Sequence, residues 1–157
     1  MQKITPCLWF DGQAEEAAQF YTKIFKRSKI LSVSRYGEGA PFPKGTALVV
    51  VLRIEGQTFQ ALNGGPQYKF TPAISLSVDC KDQKEVDRLW DQLRDPVYPG
   101  QCGWLVDRYG VSWQIVPRVL VKLLGSKDRA KSGRVMQAMM KMGKIDVATL
   151  ERAAAGK

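Results

Sequence analysis

The chain has 157 residues, 45% of them hydrophobic and 25% charged, with no histidine and a net charge of +9. That is enough chain for a domain with a real core, and the composition is ordinary for a soluble globular protein. No apolar run is long enough to cross a bilayer, and the lack of histidine removes the commonest general base and the commonest metal ligand at once.

The charge is uneven. Residues 118–157 carry ten Lys or Arg against three Asp or Glu, hence +7 of the total. These basic residues are dispersed through amphipathic stretches, and no aromatic lies among them to stack on bases. A solvated surface is therefore preferred to a nucleic-acid site. Cys7, Cys80 and Cys102 are scattered without a CxxC, and the N-terminus lacks a signal-peptide pattern. Both point to reduced thiols in a cytoplasm.

In chain order, Ile4 to Phe10 predicts a strand, with Pro6 placing it at an edge or a bulge. Ala14 to Phe25 has helical spacing. Ile30 to Tyr36 predicts a strand, and three Gly and two Pro within residues 37–45 predict a loop. Ala47 to Ile54 and Gln57 to Leu62 form a hairpin about Glu55-Gly56. Asn63-Gly64-Gly65-Pro66 ends it. Ala73 to Cys80 is a strand, with Ile74, Leu76 and Val78 on one face. Glu85 to Leu93 is a helix, with Asp82 as N-cap and Glu85 completing a capping-box pattern.

Gly103 to Pro117 predicts another hairpin. Its strands are Trp104 to Val106 and Val111 to Val116, and its turn is Asp107 to Gly110. Alternation puts Val111, Trp113 and Ile115 on an apolar face toward a helix-side core. Ser112, Gln114 and Val116 fall on the other. A lone amide in mid-strand needs a partner, which a ligand could supply. After Pro117 the pattern is all helix: a short helix stopped at Gly125, a second capped by Ser126 or Asp128 and ended at Gly143, and a third capped by Asp146.

The order is thus strand, helix, three strands, then strand, helix, two or three strands. A shift of 69 residues lays Ala17, Phe20, Tyr21 and Ile24 over Val86, Leu89, Trp90 and Leu93. Together these favour an internal duplication. The expected fold is α+β: two βαβββ modules, about 1–66 and 67–117, forming a cupped mixed sheet. Residues 118–157 are expected to pack on it as C-terminal helices.

The segments ITPCLWFDGQAEEAAQFYTKIF, ALNGGPQYKFTPAISLSVDC, QCGWLVDRYGVSWQIVP and RVMQAMMKMGKID resemble the PhnB-like proteins, which are often labelled 3-demethylubiquinone-9 3-methyltransferase domains. That group belongs to the vicinal-oxygen-chelate superfamily, with glyoxalase I and the bleomycin-resistance proteins. The resemblance implies paired βαβββ modules, usually in a homodimer. It also implies a divalent metal held by His and Glu in the metal-dependent members. Placed on this chain, those positions fall near Thr5 or Pro6, near Asn63, near Pro72 or Ala73, and at Gln114. None is an imidazole or carboxylate, so no metal and no cofactor is expected. Relatives carry a His just after NGGP, where this chain has Gln67. A methyltransferase using S-adenosylmethionine needs a glycine-rich loop after the first strand of a doubly wound sheet, and none is present.

The expected ligand-binding residues are Gln114 at the centre of the cup, then Asn63 and Arg35 at its rim, with Gln67 and Cys102 behind them. Each has a plainer reading. Cys102 is more often a small buried hydrophobe, Asp107 a turn cap, and Arg35 with Tyr36 ordinary surface packing. Two functions stay open. One is a protein that sequesters a small, largely apolar molecule. The other is an enzyme on the same scaffold, glyoxalase- or dioxygenase-like or the labelled methyltransferase. A homodimer is expected because the fold has open strand edges.

Overall fold

The computed structural model describes residues 2–157. The chain divides into two compact units, one ending at Phe70 and the other spanning Thr71–Lys157.

In the first unit, β1 (Cys7–Phe10) leads through Asp11-Gly12 into α1 (Ala14–Ile24), followed by β2 (Lys29–Arg35), β3 (Ala47–Ile54) and β4 (Gln57–Asn63). The sheet order is β1-β4-β3-β2, with β1 parallel to β4 and the other pairs antiparallel. β1 begins one residue after Pro6 and lies at the sheet edge, where a residue without an N–H is tolerated. The Gln2 amide extends that edge by exchanging hydrogen bonds with both backbone groups of Thr58. Glu55 and Gly56 both have positive φ (46° and 91°), the conformation that a two-residue hairpin turn requires. Leu52 and Ile54 of β3 are buried and alternate with exposed Arg53; Ala14, Ala17, Ala18, Tyr21 and Ile24 bury the opposing face of α1.

In the second unit, β5 (Leu76–Cys80) precedes α2 (Gln83–Leu93), then β6 (Trp104–Val106) and β7 (Ser112–Pro117). The order is β5-β7-β6, with β5 parallel to β7 and β6 antiparallel to it. β5 is shorter than the run from Ala73 suggests, and Ile74 lies outside it, 79% exposed. Asp82 caps α2 by accepting from the Glu85 N–H, and the Glu85 carboxylate reaches back to the Lys81 N–H.

Both units pair their first strand in parallel with their last. The 69-residue offset carries α1 onto α2 end to end, since Ala14 maps to Gln83 and Ile24 to Leu93. The second unit closes with two strands where the first has three. Residues 95–103 hold no strand, only the isolated bridge of Gln101 to Trp104, and Arg94, just before them, bridges Asp107. The internal repeat is therefore visible in topology, with one strand absent from the second copy.

The tail forms α3 (Arg118–Leu124), α4 (Arg129–Met140) and α5 (Val147–Ala154). Asp128 caps α4 and Asp146 caps α5. Leu120, Val135, Ile145 and Leu150 make its own small core, against which Val116, Leu123, Leu124, Met139 and Met142 pack. The tail is tied to the rest of its unit by backbone bonds from Cys102 to Met142 (2.7 Å) and Gly103 to Gly143 (2.8 Å). The Gln83 side chain also bonds Ile145 and Val147. None of the described helices is long and apolar enough to cross a membrane.

Candidate functional site

The hairpin β6–β7 is built on Asp107, which is 1% exposed. One carboxylate oxygen accepts from the Tyr109 and Val111 N–H groups, and the other accepts from Trp113 Nε1 at 2.8 Å. Both carboxylate oxygens are thus engaged within the turn and the core. Asp107 therefore fixes the register of β7 and the pose of Trp113.

That register settles which way Gln114 looks. Trp113 and Ile115 are buried, 2% and 0% exposed, in a strand that packs against α2. Gln114 lies between them in sequence, so it points to the opposite face. Its Nε2 donates to Ser75 Oγ at 2.9 Å, and its Oε1 meets no donor among the described residues. Ser77 and Trp104 sit opposite it on β5 and β6. Two residues back on the same face, Ser112 borders a groove of about 290 Å³, lined chiefly by Pro72, Tyr98, Pro99, Trp104 and Val106. Two residues on, Val116 packs against the tail core. Of the three residues expected on the open face, the tail thus covers Val116, Ser112 is buried, and Gln114 is half-buried with its Oε1 unbonded among the described residues.

The other anticipated residues do different work. Asn63 is wholly buried. Its Oδ1 accepts from the Ala14 N–H and its Nδ2 donates to the Ala47 carbonyl, 2.9 Å each. It is a cap for α1 supplied from β4, 49 residues away in sequence, and not a rim residue. Gln13, at the sequence-adjacent cap position, makes no side-chain bond. The spacing of NGGP from α1 holds no signal of such a cap.

Arg35 is paired in two-pronged fashion with Glu15, at 2.8 and 2.9 Å, and also donates to the Gly45 carbonyl. The guanidinium bonded to Glu15 holds that carboxyl below its ordinary value. Tyr36 stacks on Phe42 and donates to the Asn63 carbonyl at 2.6 Å. Gln67 is exposed beside Gly65.

Cys102 is half-buried with φ +53°, and its Sγ lies 3.8 Å from Met140 Sδ, so its surroundings are the tail. Cys80 is sealed in the core, and burial, aided by Glu85 and Asp79, pushes its thiol up to about 12. It is no nucleophile. Trp9 donates to the Gly65 carbonyl, lies against Gly64 and meets Tyr68 edge-on at 5.0 Å. The NGG run is thereby spent on a cap and an indole bed.

The positions that would hold a metal in the superfamily do not suit one here. Thr5, Pro6, Pro72 and Ala73 bring no strong ligand, Asn63 has both amide atoms engaged, and Gln114 is a neutral amide. Among the described residues, no three His, Cys, Asp or Glu side chains come together as a metal requires.

The family model described as 3-demethylubiquinone-9 3-methyltransferase matches residues 2–116. The chain belongs to that family. Among solved structures it is similar to the PhnB protein of Bacillus cereus, at 40% identity and a TM-score of 0.65 over 72% of this chain and 97% of that one. It is also similar to protein PA1353 from Pseudomonas aeruginosa, at 20% identity and a TM-score of 0.54 over 72% and 95%. A glyoxylase/bleomycin resistance protein/dioxygenase domain from Frankia sp. EAN1pec matches at 15% identity and a TM-score of 0.44, covering 72% and 89%. No curated protein matches. The family match stops at 116, so the tail segment RVMQAMMKMGKID lies outside it.

Proposed function

We propose that this family member binds a small, largely apolar molecule carrying one uncharged polar group, on the β7 face around Gln114, without a metal. The observation that carries this reading is the unbonded Oε1 of Gln114, on a strand that pairs it with Trp104, while Trp104 and Ser112, two residues back, border an apolar groove. An amide offers a donor and an acceptor, which suits a neutral polar group better than a cation. An aromatic wall with few polar points is the usual build of such a site.

The alternative is an enzyme on the same scaffold, and the family's description names methyl transfer. The strand-to-helix turn Asp11-Gly12-Gln13 is not a glycine-rich phosphate loop, and β1 pairs only with β4 in a mixed sheet. A resident S-adenosylmethionine does not fit there.

The test uses Nile red, an uncharged apolar dye with acceptor atoms. Native protein is expected to bind it with a rise in emission. Gln114→Glu and Trp104→Ala should each weaken binding about tenfold, roughly 1.4 kcal/mol. Unchanged titrations for both variants would overturn the site. Gln114→Glu should also take up no stoichiometric zinc on metal analysis, because the other three ligand positions stay empty.

A homodimer belongs to this reading. Val121, Met136 and Met140 are exposed large apolar side chains on α3 and α4, a flexible surface that a second copy would cover. Sedimentation equilibrium at micromolar concentration should return twice the 17.6 kDa chain mass. A monomeric mass there would remove the dimer while leaving the Gln114 site standing.

A further inference from the structure

A second groove lies in the first unit, on a surface that the reading above does not use. It has a volume of about 400 Å³ and is lined by Lys26, Arg27, Ser28, Lys29, Arg53 and Gly56. Four of these six residues are cations. Lys29 and Arg53 face each other directly across the β2–β3 ladder, and both are exposed. Like charges in opposite register destabilise a sheet. Neither side chain has a hydrogen bond or ion pair with any described residue. Arg27 differs, since it is paired with Glu55 at 2.9 Å. Ser28 Oγ accepts from the Glu55 N–H, which leaves its own O–H free to donate.

A plainer account covers only part of this. Lys26 follows the end of α1, where a cation offsets the helix dipole. Lys29 and Arg53 sit on strands, where no such dipole calls for them. A concave surface walled by one sign of charge concentrates anions, and an arginine fork with lysine ammoniums matches phosphate oxygens.

We propose that this groove binds a phosphate ester or diphosphate group, with Arg53 and Lys29 holding its oxygens from opposite strands, and Lys26 and the Ser28 hydroxyl closing the shell. The site is independent of the Gln114 reading, because it lies in the other unit and takes the opposite kind of ligand.

The test is calorimetric titration of inorganic pyrophosphate into the full chain in low-salt buffer. One saturable site is expected. Arg53→Ala and Lys29→Ala should each weaken it at least tenfold. Lys127→Ala removes the same charge from an exposed position in the tail and should bind like the native protein. Vesicles with a phosphorylated headgroup, run against neutral vesicles, then assign the source. Co-flotation lost in Arg53→Ala indicates a lipid, and its absence together with pyrophosphate binding indicates a soluble diphosphate. The proposal is overturned if native protein gives only dilution heats, or if Lys127→Ala weakens binding as much as Arg53→Ala does.

Discussion

Asp107→Ala is expected to lower unfolding stability by about 4 kcal/mol, a large part of the roughly 5–15 kcal/mol that holds a domain of this size together. The substitution strands two backbone N–H groups and the Trp113 indole N–H, all of which now end on one buried carboxylate. Hydrogen bonds to a charged acceptor are worth more than neutral ones, and each orphaned buried donor carries its own desolvation cost. Asp107→Asn should cost about half as much. It keeps an oxygen for the two backbone groups but, with its amide turned toward Trp113, sets donor against donor. Urea unfolding followed by tryptophan emission measures both. A loss under about 1 kcal/mol for the alanine variant would mean that the turn holds without its carboxylate. The functional corollary is direct: Gln114 follows Trp113 in the chain, so a site at Gln114 inherits its aim from Asp107.

How much of this could be read from the chain depends on the range of each interaction. The Asp107 turn, the Glu55-Gly56 hairpin and the Asp82, Asp128 and Asp146 caps lie within a few residues of what they hold, and local spacing shows them. Alternation along β7 separates Gln114 from Trp113 and Ile115, and burial agrees with it. Contacts across tens of residues left no such trace. Asn63 looks like a loop amide at the end of a strand, yet it caps α1. Arg35 looks like a free cation beside a loop, yet Glu15 meets both prongs of its fork. The tail is amphipathic on its own terms, but nothing in its period says that it will take Val116 from the face beside Gln114. Lys29 and Arg53 are 24 positions apart, and only the ladder register makes them opposite.

Gly64→Ala should cost about 3 kcal/mol, measured as a fall in melting temperature or in urea midpoint. A Cβ on Gly64 would stand 2.3, 2.4 and 2.5 Å from three carbons of the Trp9 indole, well inside any real contact. The ring has little room to yield, because its Nε1 is bonded to the Gly65 carbonyl at 2.8 Å and Tyr68 meets it edge-on. Overpacking at a fixed ring costs about 1–3 kcal/mol, and displacing the ring also gives up its hydrogen bond. Backbone strain is not the cause, since the φ of Gly64 is outside the left-handed region. A double-mutant cycle isolates the clash. With Trp9→Ala already present, the three clashing indole carbons are gone, and alanine should be neutral or gain about 0.4–1 kcal/mol by restricting the unfolded chain. Equal destabilisation by Gly64→Ala in both backgrounds would show that the glycine serves something other than the indole. A cost confined to the Trp9 background would explain the first glycine of the NGGP run as the bed of one tryptophan, with no ligand required.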